Sequence, residues 1–403
     1  MTGTVDDAAA AADGDAGLLV VNAGSSSIKF ALYRAGGLAV AAAGQAAGLT
    51  GAEPRFSARL ADGETSVEEP LGEASHRAAL ARILGWLDAA PGLPPVRAAG
   101  HRIVHGGGVY DRPARVDAAL IAACKRFIPF APRHQPHNVA GIEALAAAAP
   151  GLPQVACFDT AFHATLPAER ARLPIPRALH DKGVRRYGFH GLSFQSILAR
   201  FEALVGAPPP RRLVIAHLGA GASLCGVMDG ESRYSSMGFS PLDGAMMASR
   251  PGRLDPGVIL HLIREEGMDA EALESLLYDR CGLYGASGLT GDMKALLEDG
   301  SPAAREALDL YSDRLVQEVA AAAAALDGID ALVFTGGVGE NAAPIRAAAL
   351  ERLAWLGFAL DPAGNARGGP LLTRPTSDRA AYRLPTDEER VIAQACLEAL
   401  RPG

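Results

Sequence analysis

The stretch Asn22-Ala23-Gly24-Ser25-Ser26-Ser27-Ile28-Lys29 breaks an apolar run with small, hydroxyl-bearing residues and ends in a lysine. Backbone N–H groups, serine hydroxyls and an ammonium together make a phosphate cradle. The stretch lacks the second glycine and the Lys-Ser/Thr ending of a Walker A loop, and the same residues would also make an ordinary β-hairpin. Two later segments repeat the pattern of apolar strand followed by small residues: His217-Leu218-Gly219-Ala220-Gly221-Ala222-Ser223, and Gly336-Gly337-Val338-Gly339-Glu340-Asn341. Each alone fits a plain connection. Together they favour a nucleotide, because several phosphates need many N–H donors and glycine lets the backbone approach closely.

Other side chains add charge chemistry. Arg102 precedes a triple glycine, and Arg250 sits in Met246-Met247-Ala248-Ser249-Arg250-Pro251-Gly252. A guanidinium fork matches a carboxylate or a phosphate, although most arginines are solvated surface groups. Asp159, at a strand end in Phe158-Asp159-Thr160-Ala161-Phe162-His163, suits a general base or an orienting carboxylate; its plainer use is as an N-cap. His190 lies between glycines and aromatics, where a hydrogen-bonded structural histidine is the alternative, and His134 and His137 carry the same ambiguity. Glu388 is a candidate magnesium ligand, or simply an acid at a helix start.

These residues need elements to hold them. From Leu18 to Val40 the pattern predicts two strands joined by the serine turn. A helix is expected over 75–89, with Leu80, Ile83, Leu84 and Leu87 on one face, and a short strand then carries Gly100 to Gly108. Helices follow at 117–127 and near 138–149, and the strand Gln154–Phe158 ends at Asp159. A second strand-turn-strand unit opens at Arg212, and a third strand, Ala331–Thr335, feeds a helix from about Pro344. Strands alternating with helices imply an α/β class, and the repeated opening implies two related halves.

The chain has 403 residues, 49% of them hydrophobic and 21% charged, which suits a globular protein of two or three domains. A net charge of −7 argues against nucleic-acid binding, and no apolar run approaches a membrane span of ~20 residues. The five cysteines are widely separated, with no metal-ligand spacing, so reduced thiols and a cytoplasmic location are expected. Residues 1–16 read as a disordered leader without signal-peptide character.

NAGSSSIKF, GHRIVHGG, FDTAFH, RRYGFHGLS, SMGFSPLDGAMMASRPG, FTGGVGEN and PTDEE, in this order from Leu18 to about Gln394, give a chain that resembles the acetokinase family. The resemblance implies an actin-like (ASKHA) two-domain α/β fold with duplicated mixed-sheet halves and an interdomain cleft. An N-terminal domain is expected over 17–163, with a helix from about 389 to 403 available to pack back on it, and a nucleotide-binding domain over 164–388. The implied activity is direct in-line phosphoryl transfer from ATP to acetate, giving acetyl phosphate and ADP, with Mg²⁺ (or Mn²⁺) and a homodimeric assembly.

Matched position by position, Asn22 and Glu388 are implied to be magnesium-linked and Lys29 to contact nucleotide. Arg102 and Arg250 are implied to hold the carboxylate and the transferring phosphoryl, Asp159 to be the catalytic acid/base and His190 the transition-state stabiliser. Val104, His134, Phe189 and Pro241 fall around the acyl group. His217, Leu218, Gly219, Ala220 and Gly221, with Gly337, Val338, Gly339, Glu340 and Asn341, match nucleotide-binding loops, as does Asp292 with Met293 and Lys294. Because a carboxylate acceptor is already ionised at neutral pH, Asp159 is expected to orient groups electrostatically more than to remove a proton.

Three departures stand out. Ala220-Gly221-Ala222 replaces the family's usual Asn-Gly-Ser, Met293-Lys294 its Phe-Arg, and Arg133 a leucine near the acyl pocket. The first two are expected to give weaker nucleotide contact without loss of activity and an open base preference; Arg133 would either favour a longer or more polar acid or simply point to solvent. The competing readings are a propionate, butyrate or other short-chain acyl kinase, a catalytically inactive actin-like nucleotide sensor, and a sugar or polyol kinase. The last needs a base for a hydroxyl, whereas paired arginines suit an anion.

Overall fold

The computed structural model describes residues 16–63 and 66–400, with the side chain of 400 excepted. The expected leader over 1–16 thus falls, except for Ala16, outside the described residues. The chain divides into two compact units, one running to Ala161 and resuming at Asp387, the other Phe162–Thr386.

The first unit is built on an eight-stranded sheet, ordered β5-β4-β3-β2-β1-β6-β8-β7. β1 (Gly17–Ala23) and β2 (Ser27–Arg34) form the hairpin around the serine turn, with Asn22 paired to Lys29. β3 (Val40–Ala47), β4 (Arg55–Leu60) and β5 (Ser66–Pro70) continue it antiparallel, where the sequence reading had placed no strand. β6 (Val96–Ile103) runs parallel to β1, β8 (Gln154–Phe158) runs parallel to β6, and β7 is the two-residue Ala114–Arg115. The helix His76–Ala89, capped by the Ser75 side chain, buries Leu80, Ile83, Trp86 and Leu87 on this sheet. Phe30, Phe56 and Trp86 meet at ring-centroid distances of 6.2 Å, each burial stabilising by roughly 1.5–3 kcal/mol. The predicted helix at 117–127 is Ala118–Arg126, capped by Asp117, and the one near 138–149 begins earlier, as Gln135–Ala148. The closing helix Glu388–Leu400 lies against β1, β6 and β8. Only glycine fits at position 100, where a Cβ would collide with Ile392 and Cys396.

The second unit has a five-stranded sheet ordered β11-β10-β9-β12-β13. β9 (Arg212–Leu218), β10 (Ala222–Met228) and β11 (Glu231–Ser235) are antiparallel; β12 (Ala331–Thr335) runs parallel to β9, and β13 (Ala380–Arg383) parallel to β12. The order β3-β2-β1-β6-β8 in the first unit has the same connectivity and directions, so the repeated opening pattern reflects a repeated topology. The helix expected from about Pro344 is present as Ala343–Arg352, but a further short helix, Gly336–Asn341, precedes it. Glycine propensity argues for a loop there, but the Glu340 carboxylate accepts from the Gly336 N–H at 3.1 Å and closes the first turn.

Candidate active site

In the first unit, three parallel strands deliver chemistry at their carboxyl ends, the edge where such sheets bind ligands. Asn22 stands near the end of β1, Arg102 near the end of β6, and Asp159 just beyond β8. Asp159 is 2% exposed and grips Arg102 with both oxygens, at 3.0 Å (Nε to Oδ2), 3.2 Å (Nε to Oδ1) and 2.8 Å (Nη2 to Oδ2). Its side chain is therefore committed to an ion pair. Glu388, opening the last helix, reaches Arg102 Nη1 at 3.7 Å. Burial opposes the Arg102 charge, but Asp159 and Glu388 more than offset it and hold its pKa above the ordinary arginine value.

Asn138, which sequence reasoning did not single out, ties these strand ends together. Its Nδ2 donates to the Ala23 carbonyl at 2.8 Å and its Oδ1 accepts from the Val104 N–H at 2.9 Å. Gln135 does the same for His105, accepting from its N–H at 3.2 Å and donating to its carbonyl at 3.1 Å. Under the serine turn, His76 Nε2 lies 2.8 Å from the Gly24 carbonyl and its ring stacks on His137. Lys29 points from β2 into a cavity of about 420 Å³ on the sheet face, shared with Gln45, Arg59 and Glu389. Val104 is half-buried, His134 is exposed at the start of the helix Gln135–Ala148, and Arg133 beside it is half-buried.

In the second unit, parallel pairing of β9 with β12 sets Thr335 beside His217, so the two glycine segments leave the sheet side by side. Their approach is tight: a Cβ on Gly336, at φ 76°, would stand 2.8 Å from the Leu218 carbonyl oxygen. His190 caps the helix Gly191–Val205 at φ 59°, a left-handed conformation that costs energy for a non-glycine residue. Its Nδ1 lies 2.8 Å from Ser223 Oγ, and its ring stacks on His217 at 4.3 Å. His217 Nδ1 is held in turn by Ser193 Oγ at 2.8 Å, and Ser193 meets Thr386 at 3.0 Å.

Arg250 comes to the same glycine turn. A Cβ on Gly221 would lie 2.8 Å from Arg250 Nη2 and 3.6 Å from His190 Nε2. Arg250 Nη1 donates to the Pro241 carbonyl at 2.9 Å. No carboxylate among the described residues pairs with it, and burial lowers its pKa. A partly buried guanidinium with no carboxylate partner among the described residues is a candidate anion site. Phe189 is buried, its carbonyl accepting from His163 Nε2 at 3.0 Å, while His163 Nδ1 accepts from Ser232 Oγ at 2.8 Å. Burial lowers the His163 pKa to about 4, so it is neutral at physiological pH.

A cavity of about 660 Å³, within the ~300–1,000 Å³ of small-molecule sites, collects many of the residues expected to touch nucleotide. Gly219, Ala220, Asp292, Met293, Lys294, Gly337, Val338 and Asn341 line it, with Leu283, Leu297 and Tyr311 as apolar walls. Met293 is buried as part of the wall, whereas Lys294 is 84% exposed and pairs with Glu298. Asp292 caps the helix Met293–Asp299 through the Ala295 N–H, at 2.8 Å. His217, Leu218, Gly221 and Gly339 are not among the lining residues. Glu340 also stands apart, its carboxylate held by the N–H groups of Gly336 and Thr386.

The chain matches the Acetokinase family over residues 17–394. It is 47% identical over 393 residues to an acetate kinase of Rhodopseudomonas palustris, covering 94% of this chain and 96% of the relative. Among solved structures it is similar to Porphyromonas gingivalis acetate kinase (TM-score 0.88, 33% identity, covering 96% of this chain and all of that one). It is also similar to a propionate kinase from Francisella tularensis (TM-score 0.89, 33% identity, covering 94% and 98%). With this match spanning nearly the whole chain, and with two topologically equivalent mixed sheets of the actin-like type, the protein belongs to the acetokinase family.

Proposed function

We propose that this chain transfers the γ-phosphoryl group of ATP to the carboxylate of acetate, reversibly, giving acetyl phosphate and ADP by direct in-line displacement. The observation that carries the reading is Arg250, a partly buried guanidinium without a carboxylate partner among the described residues, set beside His190 at a glycine turn. Phosphoryl transfer needs alignment and neutralised equatorial oxygens more than covalent chemistry, and an arginine with an imidazole supplies that charge. The 660 Å³ cavity takes the nucleotide in this reading, with Met293 and Val338 against the base.

Asn22 and Glu388 offer hard oxygen donors at neighbouring strand and helix ends, a pair that suits Mg²⁺, which needs only one or two protein oxygens. They would hold the ion, which when bound neutralises phosphate charge. Asp159 grips Arg102 and orients that guanidinium toward the substrate carboxylate. Val104, His134, Phe189 and Pro241 shape the acyl site. The two compact units are taken as the two domains, with the closing helix belonging to the first. Five free cysteines fit a reducing cytoplasm.

The assembly we propose is a homodimer. The helix Pro256–Arg264 has no buried residue, and Leu254, Val258, Leu260 and Ile263 present 38–49% of their surface to solvent. A second copy of the chain is the occupant we assign to that face.

Incubation with ATP, Mg²⁺ and hydroxylamine tests the reaction by trapping acyl phosphate as the hydroxamate. Acetate is expected to give product. Propionate is expected to follow at a lower rate, because one methylene is worth only about 1–3 kcal/mol in a pocket. Replacing ATP by GTP reads the base preference at Met293-Lys294. No hydroxamate from any short carboxylate would refute the proposal.

A further inference from the structure

Arg250 is carried by the segment 236–252, which leaves β11 at Ser235 and ends at Arg253. Both ends are fastened on one side chain, Glu318, in the helix Pro302–Ala325. Glu318 is 3% exposed. Its Oε2 accepts from the Tyr234 hydroxyl at 2.6 Å on the incoming end, and its Oε1 accepts from Arg253 Nη2 at 2.7 Å on the outgoing end. Arg186 braces the start of the segment: its Nη1 donates to the carbonyls of Ser235, Ser236 and Met237 at 2.9–3.1 Å, and its Nη2 lies 3.4 Å from Asp243. The Arg253 N–H donates to the Gly244 carbonyl at 2.8 Å, which closes the loop on itself.

A buried carboxylate held by a hydroxyl and a guanidinium adds little net stability over apolar packing; what it fixes is geometry. We propose that Glu318 is a positioning residue for Arg250. By drawing Tyr234 and Arg253 to one carboxylate it sets the span of the segment, and with it the place of the guanidinium. The proposal rests on the reading of Arg250 as the group that holds the transferring phosphoryl.

The charged and titratable groups that face Glu318 are Tyr234, Arg253, Arg186 and Asp243. Burial raises its pKa and Asp243 adds to the rise, while the Tyr234 hydrogen bond, Arg253 and Arg186 oppose it. Protonation turns an acceptor into a donor facing donors and removes the Arg253 ion pair, so kcat falls as pH drops through this raised pKa. Stability moves the other way. A carboxyl whose pKa is higher in the folded than in the unfolded chain stabilises the fold at low pH, and that contribution is lost as pH rises through the folded value. A purely structural role would not set activity and stability in opposition.

The test measures kcat for acyl phosphate formation, the KM for ATP and the Tm against pH, for wild type, Glu318→Gln and Tyr234→Phe. Glu318→Gln is expected to lower kcat about tenfold at about pH 8, with the KM for ATP within about twofold of wild type. The gap closes at acid pH, where the wild-type carboxyl is also neutral. Tyr234→Phe loses a bond that favours the carboxylate, so its acid limb moves to higher pH. A folded Glu318→Gln with wild-type kcat, or with a pH-independent deficit, overturns the proposal. Should that variant fail to fold, an unshifted limb in Tyr234→Phe overturns it. A wild-type chain that forms no acyl phosphate overturns the reading of Arg250 and this proposal together, whereas an active wild type with the flat ratio overturns this one alone.

Discussion

Gly221 separates activity from stability at a single atom. Its backbone is compatible with alanine, since it is not among the positive-φ glycines, so the substitution costs little in conformation. The added Cβ would stand 2.8 Å from Arg250 Nη2, the far end of a flexible side chain, and that end moves more cheaply than backbone. Arg250 therefore gives way and the fold does not. Gly221→Ala is expected to lower kcat by about 10–100-fold, or 1.4–2.7 kcal/mol in the transition state, with the Tm within a few degrees of wild type. Steady-state kinetics and a thermal melt on the same preparation check it. Unchanged kcat would mean that the guanidinium does not act from its observed position. The neighbouring Ala220 is exposed at the cavity and its carbonyl accepts from the Ala248 N–H at 3.2 Å, so the turn keeps its backbone geometry without the family's asparagine.

The element that most lacks a partner is the helix Pro256–Arg264, nine residues with none buried. An amphipathic helix ordinarily buries its apolar stripe. With Val258, Leu260 and Ile263 uncovered, the solution mass by light scattering is expected to be twice the 41.6 kDa chain. Val258→Glu with Ile263→Glu is expected to give the single chain with its fold retained. A wild-type mass of one chain would remove the dimer. Other elements differ in how plainly the sequence announces them. The hairpins at 17–34 and 212–228 combine apolar runs with small-residue turns, and both are legible. β3 is not, because VAAAGQAA is mostly alanine, a weak strand former that pairs here only because β2 offers an edge. The helix Gly336–Asn341 hides behind its glycines and depends on the Glu340 carboxylate. Among candidate site residues, Arg102, Asp159, His190 and Arg250 stand out in the sequence from their glycine-rich or strand-end surroundings. Asn138, Ser193, Ser223 and Glu318 do not, since each acquires its role from a partner 24 to 115 residues away.

Across the whole molecule, buried histidines decide how the chain meets acid. His101, His105 and His163 are 1%, 0% and 2% exposed, and burial lowers each pKa to about 4. His101 keeps one hydrogen bond, Nε2 to Gln154 Oε1 at 2.7 Å, which opposes the shift without cancelling it. In the unfolded chain all three titrate near about 6.5. Between these values the unfolded state binds more protons, so stability rises with pH there. The contribution is fully present above the unfolded pKa and is lost as pH falls toward the folded one. At about 1.4 kcal/mol per pKa unit, each histidine accounts for on the order of 3 kcal/mol, and the three together rival the ~5–15 kcal/mol total stability of a typical fold. Glu318 and Glu389, whose pKa values burial raises, work in the opposite sense. The Tm is therefore expected to fall steeply between about pH 6.5 and pH 4.5. His101→Gln, which stays neutral and can still reach Gln154, is expected to remove roughly a third of that slope. Melts followed by circular dichroism across this range test the argument: a flat Tm would mean that the three imidazoles take up protons in the fold as readily as in the unfolded chain.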